Sequence, residues 1–547
     1  MNEIERRLQT AINSVLSWCE QNGHTISSSK SCIVHFCRKR NLHPEPELYI
    51  HNQPILVVQE VRFLGVILDS KLTFLSHILY LRKKCERLLN ILKVLSNTTW
   101  GADRVSLLRI YQAVILSRID YGCIVYGSAR KFVLRKLDTV HHSALRICSG
   151  AFRTSPIESL YAECNQMPLI LRRQKLSLIY YFKVMSNSNH PLRQPLSNCS
   201  ISRLYNARPS CTRPFFDRTK LLIKDMKLEE LQVLSTGVFH QAPWEMLSVE
   251  HINPFINFNK TETSPVIFQS IFHSHRSQYS DYIAVFTDGS KTEGHTGFGV
   301  IFDNTSYNHS LTSSFSVYSA EAMAIFYALQ RISRSKFRKF CIYSDSRSVL
   351  TQLGHLSFHY HPIVLDILYS YHSLEKNGFD IIFCWIPSHV GIDGNEKADN
   401  IARLASTPLN YETPYDDIRR CVQRHIYTQW QESWSCQIGN KLYSIKPIIN
   451  TWPTIPFRQA DVRLTRLRIG HTRYTHKHLL FRDPAPLCSS CRIPDSIDHI
   501  LTKCPDFNPF RLYFFGTTEV DLKDLLGERP HLQLFAFLKR IGFLSKI

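Results

Sequence analysis

Four acidic residues in a fixed order constrain this chain more than any other feature. Asp288 and Asp345 each end a short run of apolar and β-branched residues, a pattern typical of buried strands. Glu321 lies at the start of a helical pattern, and Asp399 lies in the first turns of another. Carboxylates at strand ends, with helical acids that can point back at the sheet, predict an α/β fold with one acidic site.

Each of these acids also has an ordinary structural explanation. Asp288 followed by glycine suits a hairpin turn, the Ser-Ala before Glu321 suits a helix start, and the serines beside Asp345 suit a helix cap. The order and spacing of the four acids favour a shared site instead. Four carboxylates in one place repel one another unless cations neutralise them, and oxygen ligands select Mg²⁺ or Mn²⁺. The sequence therefore predicts two such ions, which can act on a phosphodiester.

The motifs around these acids carry a family resemblance. Residues 281–405 resemble type 1 ribonuclease H, as carried by retroelement polyproteins, through the motifs TDGS, SAEAMA, SDS and PSHVGIDGNEKAD. The resemblance implies a mixed five-stranded sheet with elements in the order β-β-β-α-β-α-α-β-α. It also implies a metal-binding tetrad, which consists of Asp288, Glu321, Asp345 and Asp399. His389 would then assist proton transfer and product release, although an ordinary loop histidine is the alternative.

Glycines near the acids have two different interpretations. The loop from Val390 to Gly394 is bounded by glycines that give a catalytic histidine the freedom it needs. By contrast, Gly294, Gly297 and Gly299 are spaced wrongly for a dinucleotide fingerprint and precede a predicted strand rather than a helix. We therefore discard dinucleotide binding.

Positive charge lies outside the segment that carries the four acids. The 547-residue chain has a formal net charge of +21, which favours a polyanionic partner. Residues 281–405 contain 10 Lys and Arg against 12 Asp and Glu, whereas the other residues contain 56 against 33. Between Leu356 and Asp380 the only Lys or Arg is Lys376, so the basic handle of some ribonucleases H is missing. We expect the flanking segments to grip the nucleic acid backbone.

Composition and termini limit the cellular setting. Sixteen cysteines scattered over a chain of this length do not suggest a disulfide scaffold. The charged start of the chain is unlike a signal peptide, and no uninterrupted apolar run has membrane-spanning length. We expect an intracellular protein, cytoplasmic or nuclear, without a membrane partner.

An amphipathic helix and short strands are predicted over residues 1–75. The helix stops at Gly23, and the strands are predicted at Ser31–Cys37, Leu48–His51 and Val61–Leu68. This succession, with its Phe-Leu-Gly motif, resembles the last part of the palm of a non-LTR retrotransposon reverse transcriptase. In that family the polymerase aspartates precede such a helix, so we expect no polymerase activity. Tyr415-Asp416-Asp417 is better explained as a helix start.

The next segments are helical and then irregular. Residues 76–200 contain apolar helical stripes with basic neighbours and resemble the thumb and connection of the same retroelement family. A basic helical face can follow a duplex backbone, although an ordinary solvated surface is the alternative. Residues 201–280 are rich in Pro, Ser and Asn, and are predicted to be a linker with a helix near Thr219–Val233.

The tail, residues 406–547, has two signals of its own. A helix is predicted over Arg419–Trp434, in which Trp430 and Trp434 are better explained by core packing than by base stacking. Farther on, a Cys-x-x-Cys pair precedes a His-x4-Cys pair, a ligand set suited to tetrahedral Zn²⁺. This set comprises Cys488, Cys491, His499 and Cys504. Unrelated buried cysteines and a surface histidine are the alternative, but the region also resembles the zinc knuckle that follows ribonuclease H in arthropod elements.

These patterns together resemble a fragment of an arthropod, Jockey-like non-LTR retrotransposon polyprotein. The resemblance implies hydrolysis of the RNA strand of an RNA–DNA hybrid by two-metal catalysis, leaving 5′-phosphate ends, with a structural zinc in the tail. Other retroelement polypeptides are possible partners. The alternatives are a catalytically silent nucleic-acid-binding remnant and a DNA-cutting transposase or integrase.

Overall fold

The structure of the chain, a computed structural model, describes residues 2–37, 44–194, 213–229, 231–235, 247–303, 305–356 and 360–547. The chain divides into two units. The first unit consists of Met1–Ser177, Ile201–Arg218 and Ile426–Ile547, and the second of Leu178–Ser200 and Thr219–His425. Most of the tail therefore groups with the start of the chain, whereas the sequence predicted a separate tail.

Short strands and longer helices make up the described residues before 230. The strands are β1 (Cys32–Ile33), β2 (Tyr49–Ile50), β3 (Gln53–Pro54), β4 (Leu56–Val57), β5 (Glu60–Phe63) and β6 (Val66–Asp69). The helices are α1 (Asn2–Gln21), α2 (Leu75–Leu95), α3 (Arg104–Tyr111), α4 (Ser117–Asp120), α5 (Cys123–Tyr126), α6 (Lys131–Ser149), α7 (Ile157–Cys164), α8 (Leu169–Met185) and α9 (Phe215–Asp225). A π-helical stretch, Gln112–Leu116, joins α3 to α4.

The prediction of a single strand over Val61–Leu68 is wrong. These residues form an antiparallel hairpin of β5 and β6, in which Phe63 pairs with Val66. Leu64 and Gly65 both have positive φ, at 45° and 84°, as a two-residue hairpin turn requires. The apolar run hid the turn because Leu64 occupies a position where Asn or Gly is usual.

The second unit contains the remaining six strands of the described residues. These are β7 (His251–Ile252), β8 (Ile283–Lys291), β9 (Thr296–Phe302), β10 (Thr305–Leu311), β11 (Lys339–Ser344) and β12 (Asp380–Trp385). The helices are α10 (Pro265–Gln278), α11 (Val317–Ile332), α12 (Arg347–Gly354), α13 (Pro362–Lys376) and α14 (Asp393–Arg403), and α15 (Tyr415–Ser435) begins in this unit. From β8 to α14 the elements follow the predicted order, which is thereby confirmed.

The strands form one mixed sheet in the order β10-β9-β8-β11-β12-β7. The consecutive strands β8, β9 and β10 pair antiparallel, whereas β8, β11 and β12 pair in parallel. The sheet has six strands rather than the predicted five, because β7 adds to the edge beside β12. A strand of two residues is too short to produce a readable hydrophobic period.

The segment predicted as a linker, 201–280, contributes to the second unit. Besides β7, it supplies α10, whose Phe268 and Phe272 pack in a core with Tyr343 of the sheet. The helix predicted over Thr219–Val233 is observed as α9, which begins earlier and ends earlier, before Lys227 with its φ of 53°. Pro, Ser and Asn between these elements obscured the apolar periodicity.

The described residues after α15 belong to the first unit. Their helices are α16 (Lys441–Ile445), α17 (Arg458–Ile469), α18 (Arg473–His476), α19 (His478–Phe481), α20 (Asn508–Phe515), α21 (Leu522–Leu526) and α22 (Leu534–Arg540). Trp430 and Trp434 are buried in one core with α2, α6 and α7, as predicted. Within the described ranges, no helix combines the length and apolarity needed to cross a membrane.

A buried charge network holds the tail to the helices near the start of the chain. Arg104 pairs with Glu163 and, at 3.2 Å, with Asp461, while Arg468 lies 3.6 Å from Glu163. Burial raises the pKa of Glu163, but Arg104 and Arg468 outweigh it and hold that pKa below its usual range. Lys446 adds another buried cation to the network. A buried ion pair of this kind is costly to break, because removal of one partner leaves an uncompensated charge.

We expect Glu163→Gln to lower the free energy of unfolding by about 3–5 kcal/mol, because three buried cations then share one carboxylate. Chemical denaturation followed by tryptophan fluorescence measures the change, since Trp430 and Trp434 lie in the adjoining core. The matched control is Glu86→Gln, which removes an exposed pair with Arg82 and should change stability by less than about 0.5 kcal/mol. Equal effects of the two substitutions would contradict the network.

Candidate active site

Two of the candidate acids lie together because of strand register. Thr287 of β8 pairs with Ser344 of β11, and these strands run parallel. The next residue on each strand is an acid, Asp288 and Asp345, so both carboxylates lie at the same place along neighbouring strands. Asp288 is buried and Asp345 is half-buried.

Glu321 reaches the same place through the start of α11. The side chain of Ser316 caps this helix by accepting a hydrogen bond from the backbone N–H of Ser319. Ala320 and Ala324 are fully buried and fix which face of the helix meets the sheet. The backbone of Glu321 lies so close to β8 that a Cβ on Gly289 would be 2.4 Å from its nitrogen. Only glycine permits this approach.

Gly289→Ala is therefore expected to push the start of α11 away from β8. Displacement of a catalytic carboxylate by about 1 Å costs on the order of 10²-fold in rate, and overpacking costs about 1–3 kcal/mol of stability. Cleavage kinetics and thermal unfolding measure the two effects. Gly294→Ala is the control, because a Cβ added there would meet no atom within 4 Å, so both quantities should stay unchanged. Full activity of Gly289→Ala would contradict this geometry.

Asp399 is brought in by the close packing of α14 on β9. A Cβ on Gly299 would lie 2.5 Å from the carbonyl oxygen of Ala398, and one on Gly297 would lie 2.7 Å from that of Ala402. These two glycines share a face of the strand, and the helix rests on that face. Sequence reasoning set them aside as an unsuitable dinucleotide fingerprint and missed their packing role. Two glycines at a spacing of two on a strand are the signal that was available.

The four acids influence one another electrostatically. Burial raises the pKa of Asp288 to about 8, and the carboxylates of Asp345 and Asp399 contribute to this rise. Burial and Asp345 likewise raise the pKa of Glu321 to about 8. The pKa of Asp345 is also raised, chiefly by burial. Without a cation, Asp288 and Glu321 are therefore held largely in their protonated forms near neutral pH, and a divalent cation would favour the charged forms that bind it.

Asn395 and Trp385 position Asp345, and sequence reasoning missed both. Asn395 is buried and its Nδ2 donates to Oδ2 of Asp345 at 3.4 Å. The indole Nε1 of Trp385 donates to the backbone carbonyl of Asp345 at 3.2 Å. Asn395 lies inside the PSHVGIDGNEKAD motif, and its position there could have identified it as a candidate site residue.

His389 lies at the rim of the cluster. Its φ is 51°, its side chain is 57% exposed, and its Nδ1 is 3.7 Å from Oδ2 of Asp399. Glu396 lies 3.9 Å from the same nitrogen, and Arg403 contacts Oδ2 of Asp399 at 2.7 Å. Glu396 and Arg403 were not predicted as site residues. His389, Glu396 and Asp399 offer ligand atoms within 4.8 Å of one another, so this rim can also hold a cation.

The loop that carries His389 is supported by the segment predicted as a linker. Gln269 of α10 donates to the carbonyl oxygen of Val390 at 2.9 Å, and Lys260 donates to the hydroxyl of Ser388 at 3.2 Å. Gly391, with a φ of 80°, lies against Gln269. The structure thus ties the loop at both sides of the histidine while leaving the imidazole exposed.

A second cluster lies in the tail and consists of the predicted zinc ligands. Their ligand atoms all lie within 4.8 Å of one another: Cys488, Cys491, His499 and Cys504. The sulfurs of Cys488 and Cys504 are 3.7 Å apart. Both ring nitrogens of His499 are buried without a hydrogen-bond partner among the described residues. A hydrogen bond from the backbone N–H of Cys491 is the largest of the influences that lower the pKa of Cys488 to about 7. Three sulfurs and one unpartnered imidazole fit a tetrahedral zinc ion.

Comparisons with known proteins agree with this architecture. Residues 280–407 match the family model described as RNase H. The "Probable RNA-directed DNA polymerase from transposon X-element" of Drosophila melanogaster is 28% identical over 24% of this chain and 14% of its own length. A "Retrovirus-related Pol polyprotein from type-1 retrotransposable element R1 4" of Nasonia vitripennis is 27% identical over 25% of this chain and 34% of its own length. The "RNA-directed DNA polymerase from mobile element jockey" of Drosophila melanogaster is 29% identical over 28% and 17%.

Solved structures with a similar segment include ribonucleases H. That of "LC11-RNase H1 in complex with RNA/DNA hybrid" is 17% identical, with a TM-score of 0.20, and the match covers 22% of this chain and 95% of the other. The ribonuclease H1 of Halobacterium salinarum is 19% identical, with a TM-score of 0.19, over 23% of this chain and 96% of the other. The chain spans about a third or less of the length of the three curated relatives.

Proposed function

Starting from the RNase H domain at residues 280–407 and the homologous polyproteins of arthropod non-LTR retrotransposons, we propose that this chain hydrolyses the RNA strand of RNA–DNA hybrids. The observation that carries the proposal is the mutual electrostatic influence of four acids around β8 and β11, in which Asp345, Asp399 and Glu321 all act on Asp288. Asp288 lies within β8, Asp345 lies directly after β11, and Glu321 and Asp399 lie on helices that pack against β8 and β9. This arrangement is suited to metal-assisted phosphodiester hydrolysis.

Asp288, Glu321, Asp345 and Asp399 would hold two Mg²⁺ or Mn²⁺ ions. The residues fit this role, because the pKa values of Asp288 and Glu321 are raised to about 8 by burial and by neighbouring carboxylates, and divalent cations would relieve that repulsion. When bound, such ions lower the pKa of the attacking water and neutralise charge on the phosphate and leaving oxygen. The products would carry 5′-phosphate and 3′-hydroxyl ends.

The chain's own residues orient the acids and move protons. Asn395 and Trp385 fix the position of Asp345 through its carboxylate and its backbone carbonyl. His389 is exposed beside Asp399, where its imidazole can deliver a proton to the departing 3′ oxygen and then assist release of the product. Arg403, which contacts Asp399, offsets part of its charge before substrate binds. In this scheme no serine or cysteine nucleophile is required.

The flanking parts of the chain have structural and binding roles in this proposal. The cluster of Cys488, Cys491, His499 and Cys504 would hold a structural zinc, because four protein ligands leave no open position for chemistry. Residues 1–75 and 76–200 would be a partial palm and a thumb-like region that contact the nucleic acid backbone, or other polypeptides of the same retroelement.

The proposal is tested with three end-labelled substrates of one sequence: an RNA–DNA hybrid, single-stranded RNA and a DNA duplex. We expect Mg²⁺-dependent cleavage of the RNA strand in the hybrid alone. Cleavage of the DNA duplex would instead favour a transposase or integrase activity. Binding of the hybrid without cleavage in Mg²⁺ or Mn²⁺ would favour a silent nucleic-acid-binding remnant.

A further inference from the structure

We propose that the first turns of α15, which lie beyond the RNase H match, hold the sugar-phosphate backbone of the substrate duplex through Arg420 and Arg424. This inference rests on the proposed function, because it assigns a grip for the same substrate. The helix α15 begins after residue 407, the last residue of the match to the RNase H family model.

The start of α15 is anchored to the helix that carries Glu321. Asp417 is buried, and its Oδ2 accepts a hydrogen bond of 3.1 Å from the backbone N–H of Ser316, the residue that caps α11. Just before α15, the hydroxyl of Thr413 lies 2.9 Å from that of Ser314. These contacts fix the first turns of α15 beside the start of α11, about a turn and a half before Glu321.

The arginines lie on the anchored side of α15. Arg420 and Arg424 follow Asp417 by three and seven residues, which places all three on one helical face. The Arg420 guanidinium lies within electrostatic reach of Tyr318, which is itself within reach of Glu321. The Arg424 guanidinium lies within reach of Lys291. The two arginines therefore lie beside the start of α11 and the end of β8, the elements that carry Glu321 and Asp288.

Lys291 extends this positive surface toward the acids. It follows Asp288 by three residues on β8, a separation of about 10 Å along a strand. Its ammonium donates to the backbone carbonyls of Ser313 and Phe315, and the Asp417 carboxylate also lies within its electrostatic reach, so it is held beside the start of α15. Phosphates recur about every 3.4 Å along each strand of a duplex. A duplex seated on the acids would therefore reach this surface within a few base pairs.

The charges of the two α15 arginines are not paired within the part of the chain that the structure describes. Arg420 and Arg424 are exposed, and neither has an ion-pair or hydrogen-bond partner among the residues that the structure describes. Their neighbour Arg419 differs, because it lies 3.5 Å from Asp416. Like-charged side chains at a spacing of four residues on a helix repel one another, which a bound phosphate would relieve.

The substrate needs such a grip because the RNase H segment offers little of its own. Residues 281–405 carry slightly more acidic than basic side chains, and α13 has Lys376 as its single Lys or Arg. Arg403 is engaged with Asp399. Arg347 and Lys397 are exposed two residues from Asp345 and Asp399, and Arg420 and Arg424 of α15 add two further exposed cations, where counterion release from phosphates would supply binding free energy.

The test measures hybrid binding by fluorescence anisotropy across a salt series, in an Asp345→Asn background that prevents cleavage. Arg420→Ala and Arg424→Ala are combined, since alanine preserves helix formation. The matched control combines Arg334→Ala with Lys336→Ala, two exposed cations before β11, at the opposite end of that strand from Asp345. We expect the Kd of the α15 variant to rise about tenfold at physiological salt, with a salt slope smaller by about 1.8 for two lost phosphate contacts.

The outcomes separate this inference from the proposed function. The proposed contact of α15 with the backbone would be contradicted if the α15 variant kept the affinity and salt slope of the parent. An equal loss of affinity in the control variant would also contradict it. If the α15 variant binds the hybrid weakly, the control variant binds it normally, and the intact chain never cleaves it, the α15 contact is supported and the proposed nuclease function fails. If the intact chain cleaves the hybrid, and the combined Arg420→Ala and Arg424→Ala substitutions in a chain that keeps Asp345 leave KM, kcat and salt dependence unchanged, the nuclease function stands and the proposed contact of α15 with the backbone fails.

Discussion

Asp345→Asn is expected to lower the rate of hybrid cleavage by about 10³-fold or more, while hybrid binding persists. Asp345 follows β11 at the centre of the acidic cluster, and its carboxylate raises the pKa values of both Asp288 and Glu321. Loss of a metal-binding carboxylate removes several kcal/mol of transition-state stabilisation, and each 1.36 kcal/mol corresponds to about tenfold in rate. Single-turnover cleavage measures the rate, and anisotropy measures binding.

The same substitution should not destabilise the fold. Replacing one of several crowded carboxylates by a neutral amide reduces repulsion, so the Tm without divalent ions should stay constant or rise. Asp303→Asn is the matched control, because Asp303 is exposed in the turn between β9 and β10 and its φ of 42° suits asparagine. Cleavage by Asp345→Asn at the rate of this control would contradict the assignment of the site.

The second large effect is expected at the cysteine and histidine cluster of the tail. His499→Ala should abolish zinc binding and lower the free energy of unfolding of the first unit by several kcal/mol, because zinc binding is coupled to folding. His499 is buried, and neither of its ring nitrogens has a partner among the described residues. Metal analysis of the purified chain should give one zinc ion, and chelation should lower the Tm of the parent but not of the variant.

Cys436→Ser is the control for this experiment. Cys436 is an exposed free cysteine outside the cluster, so its replacement should leave both zinc content and stability unchanged. Equal zinc content in His499→Ala and the parent would contradict the predicted site. A parent that retains its full stability after complete removal of the metal would contradict the structural role.

The fold of residues 281–405 was predictable because short motifs there combine hydrophobic period with chemistry. Asp288 and Asp345 end strand patterns, and the observed strands place them side by side. Supporting contacts were less visible, because they depend on partners distant in sequence. Gly299 has meaning only beside Ala398, and Asp417 only beside the backbone of Ser316.

The grouping of the tail with the start of the chain was not predictable for the same reason. Arg104 and Asp461 are more than 350 residues apart, and neither carries a local signal of its buried partner. Basic residues of the tail were expected to contact nucleic acid, yet Arg458 donates to the backbone of Cys148 and Arg468 lies beside Glu163. From sequence alone, charged residues are expected to face solvent or to bind polyanions. Here some of the arginines are buried and interact with other parts of the protein.

The role of the four acids as metal ligands stays a prediction until turnover is measured. The most direct measurement is single-turnover cleavage of an RNA–DNA hybrid, labelled on the RNA strand, by the intact chain in Mg²⁺. We expect RNA fragments with 5′-phosphate ends, and no cleavage when the divalent ion is withheld. A hybrid that is bound at saturation but stays intact in both Mg²⁺ and Mn²⁺ would contradict it.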